Sequence, residues 1–409
     1  MSNRKLVKHD ELKDRAQMVI PGGMYGHLNS ASLPSNYPQF FKKASGCRMW
    51  DVDDNEYIDY MCGYGANLLG YNHCEVEAAA LGQKMMADTL TGPTELIVSL
   101  AEKLVSMISH ADWAMFSKNG ADGNNIAMML ARAYKGKKTI LVARGAYHGS
   151  ANWNTPVLVG ITKEDRANII YFEYNDPQSL HDAFAQANGD VAGIFATPFR
   201  HETFEDQFFP DVEYAKLARQ LCDEHDAILI VDEVRTGFRV ARDTLWSQMG
   251  VQPDISTWGK ALSNGYPISA LCANNKLRDA ATKIFVTGTY WFSAVPMAAA
   301  LATLNIIENT SYLEHIYAMA TMLREGITKQ AEQYDFELHQ TGPVAMPQML
   351  FANDPKAQLG FKWTSELIEQ GVYFHPYHNM FISAAHKKSD IEATLYATEQ
   401  AFIKLACYR

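Results

Sequence analysis

Between residues 114 and 273 short apolar runs alternate with helical stretches, and this pattern restricts the fold more than any other. AMF (114–116), TILVA (139–143), VAGIFA (191–196), AILIVD (227–232), DISTW (254–258) and ISALCA (268–273) have the length of buried strands. Helical periodicity occupies 122–135, 178–187 and 212–225 between them. Such alternation predicts an α/β domain with a mainly parallel sheet. Ligands of such sheets bind beyond the carboxyl ends of the strands. The residues that follow these apolar runs are therefore the first place to look for chemistry.

The 409 residues suffice for more than one domain and a large core. Residues 9–19 predict a short amphipathic helix. A Gly, Ser, Asn and Pro-rich loop follows at 21–38, and FFKKA, CRMWDVD and EYIDYM predict a small β-meander. A helical stripe runs from Thr94 to Ile108. Helices at 295–308 and 311–333 lead towards a final segment of short strands and two helices, the last opened by a capping box of Ser389 and Glu392. The expected division is an N-terminal arm at 1–60 that packs with the small domain, a large domain at 61–310 and a small α+β domain at 311–409.

Composition excludes several function classes. The net charge is −10 and no basic run stands out, which argues against nucleic acid and anionic membranes as partners. No apolar run approaches the length of a bilayer span, and the charged N-terminus lacks a signal-peptide core. The 6 cysteines are scattered without a CxxC pair, which points to free thiols and a cytoplasmic location. His375 and His378 are the nearest candidate metal pair, but no HExxH is present and no metal is expected. GYGANL (63–68) resembles the start of a dinucleotide fingerprint but lacks its last glycine.

Chemistry gathers after the strands. Asn119, Gly120 and Ala121 join a strand to a helix, where backbone N–H groups and the helix dipole favour a phosphate. GAYHGS (145–150) places Tyr147 and His148 at a strand end, where an aromatic ring can stack on a planar heterocycle. Asp232 ends AILIVD, and Val234 follows two residues later. Lys260 lies between Gly259 and Ala261 among small and apolar neighbours, which lowers an amine's pKa and favours imine formation. Gly288 and Thr289 offer a second phosphate contact before a helix. A carboxylate and a lysine in this arrangement suit pyridoxal phosphate.

The order of these segments resembles the fold-type I pyridoxal-phosphate enzymes, specifically class III aminotransferases of the glutamate-1-semialdehyde aminomutase-like branch. The match runs from IPGG (20–23) and WDVD (50–53) to FISAAHKKSDIE (381–392), and DEVRTGFR followed by GKALSNGYP is its most specific part. The resemblance implies a large cofactor-binding domain with a seven-stranded-type sheet and a smaller α+β domain. It implies that Lys260 forms the internal aldimine, that Asp232 pairs with the pyridine nitrogen, and that Tyr147 and Val234 cover the two ring faces. Asn119, Gly120 and Ala121 align with the phosphate turn, with His148 beside them among the cofactor contacts. Thr289 would reach the phosphate of the neighbouring subunit of a homodimer. Tyr64 aligns with a substrate-facing aromatic, and Tyr25, His27 and Trp291 are further pocket candidates.

The sequence departs from that family in three places. Ala121 replaces a hydroxyl residue. Thr197-Pro198 stands where many relatives have Glu-Pro. The 21–38 loop has no arginine, which argues against an α- or β-amino acid substrate unless Arg200, Arg235 or Arg239 substitutes, Arg239 having a structural role as its alternative. The expected activity is transfer of an amino group between an amine or amino acid and a carbonyl acceptor, through a pyridoxamine form in ping-pong fashion. The alternatives are an intramolecular aminomutase, a racemase or decarboxylase, and a non-catalytic relic. The presence of both Lys260 and Asp232 argues against the relic.

Overall fold

The computed structural model describes residues 4–407. Contacts divide the chain into two compact units, one of Met1–His73, Thr203–Gln207 and Ser311–Arg409, the other of Cys74–Glu202 and Phe208–Thr310.

In the first unit, the helix Val7–Val19 precedes β1 (Phe41–Ser45), β2 (Arg48–Asp51) and β3 (Glu56–Asp59). β1 and β2 pair antiparallel, as do β2 and β3.

The second unit holds β4 (Trp113–Ser117), β5 (Thr139–Ala143), β6 (Ile169–Phe172), β7 (Val191–Ala196), β8 (Ile228–Asp232), β9 (Ile255–Trp258) and β10 (Ser269–Ala273). They form one seven-stranded sheet in the order β4-β10-β9-β8-β7-β5-β6. β5 to β9 pair parallel, and β10 is antiparallel to both β4 and β9. β5, β7, β8 and β10 are buried along their whole length, which is why they read as continuous apolar runs rather than alternating ones. The core cluster of this unit includes Ile126, Leu130, Ile140, Phe195, Ile230 and Leu271. β6 and the helix Cys74–Met86 are elements the apolar periodicity did not mark.

The first unit resumes with the helix Tyr312–Gln333, then β11 (Leu338–Thr341), β12 (Gln348–Phe351) and β13 (Val372–Tyr373). β11 and β12 form a hairpin-like pair, while β13 pairs parallel with β3, so the N-terminal strands and the C-terminal segment share one sheet. The last helix, Lys388–Ala406, is not opened by Ser389 and Glu392 as expected. Instead the Asp390 carboxylate accepts the Lys387 N–H at 2.9 Å and also binds Arg48, so the start moves two residues upstream to where a cation anchors the carboxylate.

Among the described residues no helix is long and apolar enough to cross a membrane, and no group of three or more His, Cys, Asp or Glu side chains is placed to hold a metal ion.

Candidate active site

Strand direction in the second unit sends six carboxyl ends, all but that of β10, to one edge of its sheet, and five of them lead to candidate residues. β4 leads to Asn119, β5 to Tyr147, β7 to Thr197, β8 to Asp232 and β9 to Lys260. β10 runs the other way, so its first residue lies at the same edge, where the Ser269 and Ser117 hydroxyls meet at 2.7 Å.

The helix Gly120–Lys135 starts sharply. The Asn119 side chain accepts the Asp122 N–H at 3.1 Å, and the Asp122 carboxylate accepts the Asn119 N–H at 3.3 Å. The first backbone bonds to Asn119 come from Asp122 and Gly123, so the Gly120 and Ala121 N–H groups stand ahead of the ladder and point out of the helix mouth. Close approach is built in around them. A Cβ on Gly120 would lie 2.6 Å from Val234 Cγ1, and one on Gly149, whose φ is +109°, would lie 2.7 Å from Ala121 Cβ.

Asp232 closes β8 and is 8% exposed. Its Oδ2 accepts from His148 Nδ1 at 2.8 Å and from Asn124 Nδ2 at 2.8 Å. Its Oδ1 accepts the Val234 N–H at 3.0 Å. A carboxylate taken out of water needs such donors. Asn124 is not among the residues the sequence points to. The signal was a polar residue on the buried stripe of an otherwise apolar helix face, three residues before Ala127.

Lys260 follows β9 with φ at +45°, an unusual backbone for a residue with a side chain and the kind of strain found at functional positions. Burial, reinforced by the Arg235 charge, pushes its amine down to about 7 despite the opposing pull of Asp232. Arg235 is itself pushed down to about 10 by burial. Nearby, burial also pushes the His201 imidazole well below its usual value, so it is neutral, with Nε2 3.3 Å from Thr197 Oγ1. The Thr197 hydroxyl donates to Phe199 O at 2.9 Å, so the Thr-Pro departure carries a satisfied hydroxyl rather than an acid.

Tyr147 is 43% exposed. Thr289 lies exposed on an irregular segment ahead of the helix Ala294–Asn309. Trp291 packs against the core cluster and over Gly288, where a Cβ would come within 2.3 Å of the indole nitrogen. The three arginines offered as substitutes are engaged within the protein. Arg200 forks onto Glu202 at 2.7 and 3.0 Å, Arg235 Nη1 reaches His201 O at 3.5 Å, and Arg239 is fully buried.

The remaining candidates belong to the first unit. Tyr25 is exposed, and the His27 ring stands edge-on to Tyr64 at 4.3 Å. Tyr64 sits in a run of four positive φ values, Cys62 to Gly65, which is a left-handed turn. The Asp59 carboxylate pins the start of this turn through the N–H groups of Met61 at 2.7 Å and Cys62 at 2.9 Å. The GYGANL segment thus forms an aromatic-bearing turn and no nucleotide loop.

Residues 31–387 match the family model described as Aminotransferase class-III. The chain is a class-III aminotransferase. An aminopentol aminotransferase of Sphingopyxis macrogoltabida is 56% identical over 396 residues, which covers 97% of this chain and 94% of that one. A glutamate-1-semialdehyde 2,1-aminomutase of Desulforamulus reducens is 28% identical, covering 97% of both chains. The solved structure of the pyridoxal-phosphate internal aldimine form of the Sphingopyxis sp. MTA144 FumI protein superposes with a TM-score of 0.97 at 56% identity, covering 98% of this chain and 96% of that chain. The aminotransferase has the fold-type I architecture and moves an amino group between small molecules. Its cofactor is pyridoxal 5'-phosphate. The residues at this edge of the sheet fit that group. A buried carboxylate keeps acceptor capacity on one oxygen, two backbone N–H groups open from a helix mouth kept clear by glycine, and a desolvated amine lies close enough to the carboxylate for the two charges to act on each other.

Proposed function

We propose that this aminotransferase acts on amines that carry no carboxylate, with hydroxylated amines as the favoured class. The observation that carries this is the fate of the arginines. The 21–38 loop has none, and Arg200 is held in a two-point pair by Glu202. With Glu202 on its Nε and Nη2, the Arg200 charge is already balanced within the protein, which makes it a weaker receiver for a substrate carboxylate. The 56% identical relative is described as acting on an aminopentol, in keeping with this class. The 28% identity to an aminomutase is weaker support for the intramolecular alternative and for the aminomutase-like branch.

Bound pyridoxal phosphate supplies an electron-withdrawing ring conjugated to the amine-bearing carbon. The chain's residues do the rest. Lys260 would hold the cofactor through Nζ, and with Nζ free it would take the proton from the amine-bearing carbon, a role its depressed basicity suits near neutral pH. Asp232 keeps the ring nitrogen protonated. Tyr147 and Val234 confine the ring faces, and Asn119, Gly120 and Ala121 hold the phosphate. His148 braces Asp232. Tyr25, His27, Tyr64 and Trp291 are the proposed substrate contacts.

We also propose a homodimer in which Thr289 reaches the partner's phosphate, supported by the exposure of Thr289 and its apolar neighbours Phe285 and Tyr290. A cytoplasmic location is supported by six scattered cysteines that form no CxxC pair.

A half-reaction screen tests the reading. Candidate amines are added to the pyridoxal form and conversion to the pyridoxamine form is followed by absorbance. Hydroxylated amines without a carboxylate are expected to convert, and Lys260→Ala to convert none. Conversion confined to α- or β-amino acids would overturn the substrate class, and full turnover by Lys260→Ala would overturn the role of the lysine.

A further inference from the structure

We infer that Asn124 is a positioning residue that saturates Asp232 Oδ2 and leaves Oδ1 as the oxygen that meets the cofactor ring nitrogen. This rests on the proposed pairing of Asp232 with that nitrogen.

The orientation of the Asn124 amide is forced by its neighbours. Its nitrogen faces His148 O at 2.9 Å and Asp232 Oδ2 at 2.8 Å, and both of these only accept. A flipped amide would set oxygen against two oxygens. Asn124 Oδ1 therefore faces the Thr257 hydroxyl at 2.6 Å, and that hydroxyl must donate to it. The Thr257 oxygen lies 3.4 Å from Asp232 Oδ1, but its one proton is already given to Asn124.

The lone pairs of Asp232 can then be assigned. Oδ2 receives Asn124 and His148 Nδ1–H and has no capacity left. Oδ1 receives only the Val234 N–H. The vacant acceptor site lies on Oδ1. Asn124 and His148 are each 2% exposed and Thr257 is fully buried, so water does not compete within this cluster. One amide ties together the helix Gly120–Lys135, the turn bearing Tyr147 and His148, and strands β8 and β9.

Losing the Asn124 donor affects Asp232 in two ways. The carboxylate is freer to turn, and with one donor fewer it competes more strongly for the proton it shares with the ring nitrogen. Both remove positive charge from the ring.

The test uses holoenzyme loaded with pyridoxal phosphate labelled with nitrogen-15 in the ring. In Asn124→Leu the ring resonance is expected to move towards that of the unprotonated ring, with the half-reaction slowed about tenfold or more, as befits loss of a hydrogen bond to a charged group. Thr257→Val, which keeps the side-chain volume, is expected to move the resonance in the same direction by less, and it serves if Asn124→Leu folds poorly. Asp232→Asn is the reference. If it shifts the resonance and neither of the other variants does, Asn124 merely packs and the inference fails. If Asp232→Asn leaves the resonance unmoved, the pairing of Asp232 with the ring is what fails.

Discussion

The amine of Lys260 is the residue-scale feature with the plainest pH signature. An ordinary lysine in water keeps gaining nucleophilic neutral amine up to pH ~10. Here burial and the Arg235 charge bring the midpoint to about 7. The shift is downward, so the neutral form dominates above that point and is lost as pH falls through it. Covalent capture of pyridoxal phosphate by the apoenzyme, followed by absorbance, should therefore rise up to about pH 7 and then level off. A rate that keeps rising about tenfold per pH unit beyond 8 would show an unperturbed amine. The strand-end positions of Lys260 and Asp232 were legible because each follows an apolar run, and strand ends are where such sheets do chemistry. Asn124 was not singled out, although a polar residue on a buried helical stripe is a recognisable mark. The arginine question could not be answered from spacing, because pairing with Glu202 depends on a turn whose shape no local pattern encodes.

Among the elements, the left-handed turn Cys62–Gly65 departs furthest from ordinary backbone. Gly65 has φ of +87°, and a Cβ there would lie 2.7 Å from the Phe381 ring. Gly65→Ala should cost about 2–4 kcal/mol by adding backbone strain to overpacking. Urea unfolding measures this, and a loss under about 0.5 kcal/mol, the range of an ordinary surface change, would mean the turn relaxes freely. Elements differ in legibility for physical reasons. β5, β7 and β8 are buried on both faces and announce themselves as apolar runs. β6 is a four-residue edge strand, and no α-helix lies between it and β5, so the alternation that revealed its neighbours is missing. The helix Cys74–Met86 was missed because it buries only Val76, Ala80 and Gln83 while exposing Leu81, Met85 and Met86, the reverse of an apolar stripe.

At the scale of the whole molecule, one chain leaves much apolar surface uncovered in its larger unit. Phe285 is 87% exposed, Met85 80% and Tyr290 61%. Large apolar side chains left this exposed support the proposed association of two chains. Sedimentation should give twice the chain mass, and the double change Phe285→Glu with Met85→Glu should give single chains that lose pyridoxal phosphate on dilution. Single chains from the unaltered protein would contradict the dimer. The sheet order has a consequence of another kind. β4, which leads into the helix mouth at Asn119, is made early, yet among the described residues its only neighbour in the sheet is β10, more than 150 residues later. Lys260 itself comes off the ribosome between the two. With the helix mouth at Asn119 as the proposed phosphate cradle, a growing chain would have no fixed strand beneath that cradle until residue 273 has emerged. The two ends of the site become competent together, late in synthesis, and a fragment cut short before β10 has its reactive lysine but no settled place for the cofactor it would hold.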